Sequence, residues 1–294
     1  MNIKKIHTDT LFKIIFLLAF SVLLSPGFAA AEDEALPSVL SVSAGYDDTH
    51  SSSAYLDSDL ALPAGLRLSA GGGNNANANS RIDVKTNSYH AGLASDPLKG
   101  VAIGIDYERW GEDNALLSDT WRVDFTVNVA DWSLRLSPAR STITGYTRSG
   151  ISAAIPPQFD MDSDRYDASI SYGGSSDWNV SAGYTYSNYS RDVSKVATSL
   201  LVALVLSPET LQLMSVLDQR RYLFSVAYNI ADDQIGVDWS RTESALDASH
   251  YTTTSLFYSK PFGSQWAADV SLGQQQASVG DSFNFINLAL NYFW

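Results

Sequence analysis

Apolar and polar residues alternate with a period of two along most of the chain. Residues 121–129, for example, read WRVDFTVNV, with an apolar side chain at every odd position. A β-strand turns successive side chains to opposite faces, so this pattern predicts strands with one apolar face and one polar or small face. The same alternation runs through residues 101–108, 166–172, 178–186 and 222–230. The sequence therefore predicts an all-β protein.

About 14 strands are predicted, and the connections between them are alternately short and long. This alternation is typical of an antiparallel up-and-down barrel, for which 12 or 16 strands are alternative counts. The predicted strands are residues 38–46, 54–62, 66–73, 82–95, 101–110, 119–130, 132–140, 164–173, 178–189, 220–231, 235–243, 251–260, 266–276 and 283–294. The longer loops are residues 47–53, 74–81, 111–118, 141–163, 190–219, 244–250 and 277–282.

Periodicity alone does not separate a soluble β-sandwich from a transmembrane barrel, because both have strands with one apolar face. The ends of the apolar faces favour the barrel, since aromatic residues gather there as they do at the two membrane interfaces. These residues are Tyr46, Tyr107, Trp110, Trp121, Trp132, Trp178, Tyr222, Trp239 and Trp266. After the N-terminal segment, only residues 200–206 are apolar over seven consecutive positions, so no transmembrane helix is predicted.

The C-terminal strand carries apolar residues on alternate positions and ends on an aromatic residue. This ending resembles the assembly signal of Gram-negative outer-membrane β-barrels, with Leu288, Leu290, Tyr292 and Trp294 as the residues that match it. The commonest version of that signal ends in Phe. The chain resembles in particular the monomeric 14-strand porin-like channels, without matching one specific family. The resemblance implies an outer-membrane location, contact with outer-membrane lipid and lipopolysaccharide, and assembly by the barrel assembly machinery with periplasmic chaperones.

Residues 1–31 have the organisation of a cleavable secretory signal peptide. Lysines precede an apolar run at 14–24, and small residues at 29–31 provide an Ala-x-Ala cleavage site. The apolar run would reach about 16 Å as a helix, well short of the roughly 30 Å hydrocarbon core. We therefore expect export by the general secretory route, a signal peptide at 1–31 and an outer-membrane barrel at 32–294.

Composition narrows the possible functions further. The whole chain has a net charge of -13, and the predicted mature part keeps 16 basic and 31 acidic side chains, a net charge of -15. Such an acidic surface argues against nucleic acid as a partner. There is no cysteine, and the histidines of the mature part lie in no recognisable metal-ligand motif. We expect no metal, no cofactor and no catalytic residue. A monomer is the favoured oligomeric state.

The polar face of the strands is predicted to line the lumen, where many of the side chains are serine, glycine or alanine. A wall of small side chains favours an open bore. The charged residues on this face are Asp57, Asp59, Asp106, Glu108, Asp124, Asp167, Asp238 and Asp269, with Arg67, Arg122, Arg135 and Arg165 as the bases. The acidic excess predicts a weak preference for cations. The alternative is that these side chains pair across strands and only solvate the wall.

The loop at residues 190–219 contains an unusual apolar segment. Residues 193–206 read VSKVATSLLVALVL, and Ser207, Pro208 and Glu209 form a helix-start signal ahead of residues 210–217. Two short helices around Pro208 are predicted. They form either a lid packed on the barrel rim, a gate folded into the mouth, or a landing site for an apolar solute or lipid.

The predicted function is that of a porin-like channel for passive diffusion of small polar solutes. A surface-binding or adhesin barrel, or a structural barrel without transport, is the alternative from a different class, and transport of apolar solutes is a lesser one. Some outer-membrane barrels are proteases or lipases, but the spacing of Asp47, Asp48 and His50 does not match the protease pattern. The lipase arrangement needs a serine and a histidine at a lipid-facing position, whereas His90 is predicted to face the lumen.

Overall fold

The computed structural model describes residues 37–77, 84–95, 100–147, 158–173, 177–195, 206–279 and 282–294. The predicted signal peptide lies outside these residues. The described residues form fourteen strands and one helix, α1, at Pro208–Ser215. The strands are β1 Val39–Asp47, β2 Ser52–Leu62, β3 Leu66–Asn77, β4 Val84–Ser95, β5 Val101–Glu112, β6 Leu116–Val129, β7 Trp132–Tyr146, β8 Gln158–Tyr172, β9 Trp178–Tyr189, β10 Asp218–Ile230, β11 Asp233–Ser244, β12 His250–Phe262, β13 Trp266–Ala277 and β14 Phe283–Phe293.

The strands form one closed antiparallel barrel in which each pairs with its neighbours in sequence. Closure occurs between β1 and β14, whose register runs from Val39 opposite Phe293 to Asp47 opposite Phe285. Beyond the last strand, Ser38 and Trp294 exchange both backbone hydrogen bonds at 3.1 Å. Closure satisfies the backbone groups that a sheet edge would leave unpaired. The predicted fold class and the predicted strand number of 14 are confirmed.

Most of the strands are longer than predicted on the side of the long loops. The predictions of 132–140 for β7 and 164–173 for β8 are wrong at this end, because their ladder continues as far as Tyr146 opposite Gln158. Residues 141–146 and 158–163 therefore belong to strands rather than to the predicted loop 141–163. The sequence signal ends early because only the part of a strand that contacts lipid needs a uniformly apolar outer face.

The outer surface carries a continuous apolar belt. Aliphatic side chains on it are about half exposed, among them Val42, Leu56, Leu272 and Leu288. Aromatic pairs from neighbouring strands border the belt on both sides. On the side of the short turns they are Trp132 with Tyr172, Trp178 with Tyr228, and Trp266 with Tyr292, and on the side of the long loops they are Tyr107 with Trp121 and Tyr184 with Tyr222.

This surface has a direct physical meaning. A closed barrel with an apolar exterior between two aromatic girdles fits a bilayer, where the backbone finds no water to hydrogen-bond. Within the part of the chain that the structure describes, no helix is both long enough and apolar enough to cross a membrane.

Candidate functional site in the barrel lumen

The predicted charged residues share the inner face of the barrel. Asp57, Gly71, His90 and Glu108 lie opposite one another in successive ladders, so their side chains point the same way. The carboxylate of Asp57 and the ring of His90 both lie over Gly71, and His90 Nδ1 is 3.7 Å from Asp57 Oδ1. Strand alternation from this row places the other predicted pore-lining residues on the same face: Asp59, Arg67, Asp106, Arg122, Asp124, Arg135, Asp167, Asp238 and Asp269.

Large aromatic side chains also face the lumen, which the sequence interpretation missed. Each of four rings lies over a glycine directly opposite it on the neighbouring strand, and so lies along the wall. The pairs are Tyr55 over Gly73, Phe159 over Gly145, Phe257 over Gly236 and Phe285 over Gly273. The sequence signal would have been an aromatic residue on the polar face with glycine at the paired position.

A network centred on Asp124 joins several of the predicted residues. Its Oδ1 accepts hydrogen bonds from Arg135 Nη2 at 2.8 Å and from the hydroxyl of Ser137. Arg122 lies between two carboxylates, with Nε 3.4 Å from Asp124 Oδ2 and Nη2 3.8 Å from Asp106 Oδ2. The structure thus brings Asp106, Arg122, Asp124 and Arg135 together. In this part of the lumen the charged side chains pair across neighbouring strands.

Four arginines border one recess in the wall formed by β6 to β10. The recess has a volume of about 170 Å³, and Arg122, Arg135, Arg165 and Arg221 are all among its lining residues. Asp167 is the carboxylate that lines it, and Arg165 Nε lies 3.0 Å from Asp167 Oδ2. Arg221 was not among the predicted lumen residues. It lies opposite Thr185 of β9 and two residues before Leu223, so alternation along β10 places it on the lumen face, and the sequence interpretation overlooked it.

A second recess lies further round the same wall. Its volume is about 220 Å³, and Arg135 lines both this recess and the one described above. At the other side of this second recess, Arg67 Nε donates a hydrogen bond to Asp59 Oδ1 at 3.0 Å. Asp238 and Asp269 lie away from both recesses, on β11 and β13, and Asp269 accepts a hydrogen bond from Asn291 Nδ2 at 2.7 Å.

The segment at 206–217 lies against the inner side of the wall at the end of the barrel that bears the long loops. The predicted helix start is confirmed, since the hydroxyl of Ser207 caps α1 by accepting from Thr210 N at 3.1 Å. Leu213 and Met214 of α1 belong to a buried apolar cluster with Leu116, Ile143 and Met161. The last three occupy lumen-facing positions of β6, β7 and β8.

Polar contacts also hold this segment in place. The hydroxyl of Thr210, which is fully buried, lies 3.2 Å from the carbonyl oxygens of both Ala115 and Tyr146. At the two ends of the segment, Leu206 forms a β-bridge with Thr147, and Leu217 O accepts from Ala245 N at 2.8 Å. The segment therefore crosses the inner face of the mouth. Of the other predicted helix, residues 196–205 lie outside the described residues.

A third cavity of about 590 Å³ opens at the same end of the barrel, between the start of the β9–β10 loop and the β11–β12 loop. Tyr189, Asp192 and Asp247 are among its lining residues. Burial raises the pKa of Tyr189 above its ordinary value, so the phenol stays neutral, and its hydroxyl donates to Asp218 O at 2.8 Å. A hydrogen bond from Ser194 holds the pKa of Asp192 below its ordinary value.

Among the described residues, no three histidine, aspartate or glutamate side chains are grouped so that they could hold a metal ion. The chemical groups of the lumen are therefore its charged side chains, its hydroxyls and its flat-lying rings.

No protein-family model matches the chain, and no curated protein matches it. Solved outer-membrane proteins are similar to it in fold at low identity. OmpT of Vibrio cholerae lacking loop L8 is 11% identical with a TM-score of 0.48, over 88% of this chain and 98% of that one. OpdK of Pseudomonas aeruginosa is 9% identical with a TM-score of 0.40, over 88% and 98%. The KdgM porin is 9% identical with a TM-score of 0.43, over 87% and 99%.

Proposed function

We propose that this protein is an outer-membrane channel for the passive diffusion of small polar solutes, without enzymatic activity. The observation that carries the proposal is the construction of the lumen wall. Its middle part is lined by small and charged side chains, and four lumen-facing aromatic rings lie along the wall over glycines. A barrel of 14 strands is wider than the eight-strand barrels whose interiors are filled by side chains. This wall leaves room for a water-filled path.

The distribution of charge supports a weak cation preference for small ions. Asp57, Asp238 and Asp269 stand on β2, β11 and β13, away from the arginine-lined recess between β6 and β10. Fixed carboxylates raise the local concentration of cations. In a KCl gradient we expect a modest reversal potential, with the sign given by a higher permeability for K⁺ than for Cl⁻. A reversal potential at zero or of anion sign contradicts this part of the proposal.

The segment at 206–217 is proposed to gate the channel. It packs on lumen-facing side chains of the mouth through Leu213 and Met214, so its displacement would widen the entrance. An apolar landing site is the competing role, which Val216 supports because its side chain is about half exposed. The two roles differ in whether removal of the segment changes ion conductance.

Planar-bilayer recording of the purified, refolded barrel tests the proposed function. We expect stable open currents in KCl, interrupted by spontaneous closures. Liposome swelling with uncharged sugars of increasing size should then give a size limit for solutes. A correctly folded barrel that carries no current and admits no sugar would overturn the channel proposal.

Surface binding is the second candidate, and the cavity of about 590 Å³ at the external end favours it. The lining of this cavity includes polar groups of Ser187, Asn188, Gln219 and Ser244, which suits an adaptable binding surface. In that case the barrel carries no current and serves only to support the loops that bind. Whole cells would then bind to a ligand-coated surface. Shortening of the β11–β12 loop would abolish this binding and leave conductance unchanged.

A further inference from the structure

We propose that the recess between β6 and β10, hereafter the arginine recess, is a binding site for small hydroxylated carboxylates that pass through the channel. The inference rests on the proposed function and adds a solute class to it. The site consists of Arg122, Arg135, Arg165 and Arg221, with hydroxyl groups at its edges.

The four guanidinium groups are available from the bore. The side chains of Arg122, Arg165 and Arg221 are about one-third exposed, and that of Arg135 is about half exposed. They come from four different strands, and all border one cavity of about 170 Å³. A single water needs only about 10–15 Å³ of such space, so the recess has room for a solute group together with its water.

The carboxylates near the arginines are already engaged in the wall. Asp167 receives hydrogen bonds from Arg165 Nε at 3.1 Å and from the hydroxyl of Thr185. Asp124 receives them from Arg135 and Ser137. Only Asp167 lines the recess, so the cavity presents four cationic groups and one anionic group to a solute. Its local charge is therefore opposite to the acidic excess of the lumen.

Two of the arginines have unused donor capacity. The contacts of Arg122 to Asp106 and Asp124 are long, and its buried Nε has no hydrogen-bond partner among the described residues. The buried Nε of Arg221 also lacks one there, although Arg221 Nη2 lies 2.9 Å from Asp218 Oδ2. A partly exposed guanidinium without a full set of acceptors gains from an added anion.

The chemistry of the recess selects a carboxylate on a hydroxylated body. A planar guanidinium presents paired N–H groups that match the two oxygens of a carboxylate. Ser137, Ser169 and Thr185 supply hydroxyls around the recess, while Leu223 and Gly183 form a smooth apolar part of its lining. Polyhydroxylated acids combine these features. The neutral polyols lack the carboxylate on which the arginines act.

Gluconate and sorbitol provide a matched pair of probes, since they share a six-carbon polyol skeleton and differ in one carboxylate. Titration calorimetry of the refolded barrel in low salt should give saturable binding of gluconate and none of sorbitol, because salt screens the arginines. Gluconate should also interrupt the KCl current in planar bilayers, whereas sorbitol should not. Equal behaviour of the two compounds in the calorimeter overturns the inference.

Arginine substitutions locate the site. Arg122→Gln and Arg221→Gln should each weaken gluconate binding by about tenfold, because each removes a charged hydrogen-bond donor group. Arg67→Gln is the matched control, since Arg67 faces the lumen but pairs with Asp59 outside the recess. It should leave gluconate affinity within about twofold. Arg122→Lys keeps the charge without the planar fork and is the substitute if a glutamine variant fails to fold.

The outcomes separate the site from the channel. Conductance without gluconate binding would overturn the site and leave the channel, whereas gluconate binding in a barrel without current would support the site and overturn the channel. Equal weakening by Arg67→Gln and Arg221→Gln would mean that the positive charges act in general, and would overturn the specific site.

Discussion

The ring of Phe285 on β14 lies over the backbone of Gly273, which stands directly opposite it on β13. A β-carbon on Gly273 would collide with the ring and would also come within 2.8 Å of Thr254 O. The glycine therefore provides the space that keeps a large lumen-facing side chain along the wall. The same arrangement recurs for Phe257 over Gly236.

Gly273→Ala should destabilise the barrel by about 1–3 kcal/mol, because the added methyl group forces the ring of Phe285 or the backbone to move. Displacement of the ring into the bore should also lower single-channel conductance. Gly183→Ala is the matched control, since its nearest neighbour beyond the adjoining residues would be Leu223 Cβ at 3.4 Å. Urea unfolding in lipid vesicles, followed by tryptophan fluorescence, gives the comparison. Equal stability of the two variants would contradict this role of the glycine.

Alternation predicted the barrel well because lipid imposes a strict period of two on the outer face. Segments such as 121–129 therefore gave strand number and facing correctly. The ends of β7 and β8 were missed because residues 141–146 and 158–163 continue their ladder beyond the apolar belt. There, pairing depends on backbone hydrogen bonds, which leave little trace in side-chain type.

The lumen was less predictable than the fold. Alternation predicts which side chains face the lumen. Which of them come together there depends on the register between strands and on irregularities such as the one before Arg220. Alternation from Leu223 puts Arg221 on the lumen face, but its place in one recess with Arg122, across five strands, depends on the curvature of the closed wall. The cap on α1 was predictable because Ser207, Pro208 and Glu209 act locally. Its packing on Leu116 and Ile143 could not be derived from neighbouring residues.

Deletion of Trp294, or Trp294→Asp, should prevent membrane assembly. Its backbone exchanges two hydrogen bonds with Ser38 at the closing seam, and its ring stacks on Tyr292 with centroids 5.6 Å apart. We expect degraded periplasmic chain and loss of the heat-modifiable folded band in outer-membrane fractions. Trp294→Phe is the control and should assemble normally. Normal insertion of the aspartate variant would count against an assembly role for this residue.

The orientation of the barrel predicts which positions are accessible from outside the cell. Single cysteines at Asn77, Asn114 and Ala248 should react with an impermeant maleimide on whole cells, since these residues lie at the end with the long loops. Cysteines at Ala64 and Ala231, in short turns, should react only after the outer membrane is opened. The cysteine-free chain provides an unlabelled background. Labelling of Ala64 but not Ala248 would mean that the barrel is inverted.

Acidic pH should favour the packed position of α1. Glu112 stands beyond the outer aromatic girdle at the end of β5, and burial raises its pKa above the ordinary 4.5, with Glu209 and Asp113 raising it further and Lys85 lowering it. Because the folded pKa is the higher one, protonation adds stability that is fully present below about 4.5 and is lost as pH rises through the folded value.

Closures should therefore become more frequent as pH falls from 7 towards 4.5. Glu112→Gln removes the charge next to Glu209 and should show the acidic behaviour already at pH 7. Lys85→Gln removes the group that lowers the pKa of Glu112, so the rise in closures should begin at a higher pH than in the parent. Bilayer recordings over this pH range would measure the effect. An unchanged pH dependence in Glu112→Gln would exclude this glutamate as its source.

Removal of the segment that covers the mouth distinguishes a gate from a packed lid. Replacement of residues 193–217 by a short Gly-Ser linker should preserve the fold, because the fourteen strands close through their own ladder hydrogen bonds. The replacement exposes the lumen-facing Leu116, Ile143 and Met161 to water and widens the mouth. We expect higher conductance and fewer spontaneous closures.

A point substitution provides the finer version of this experiment. Thr210→Val keeps the shape of the side chain but removes the hydroxyl that lies 3.2 Å from both Ala115 O and Tyr146 O, and it leaves these buried carbonyls without that donor. The loss should cost about 1–3 kcal/mol of packing free energy, so closures should become shorter, whereas Thr210→Ser should behave like the parent.

If α1 serves instead as an apolar landing site, the linker variant keeps the parent conductance and loses uptake of an apolar solute. Unchanged conductance, closures and apolar uptake would together rule out both functional roles and leave α1 as a structural lid, because its contacts would then stabilise only the mouth on which it packs.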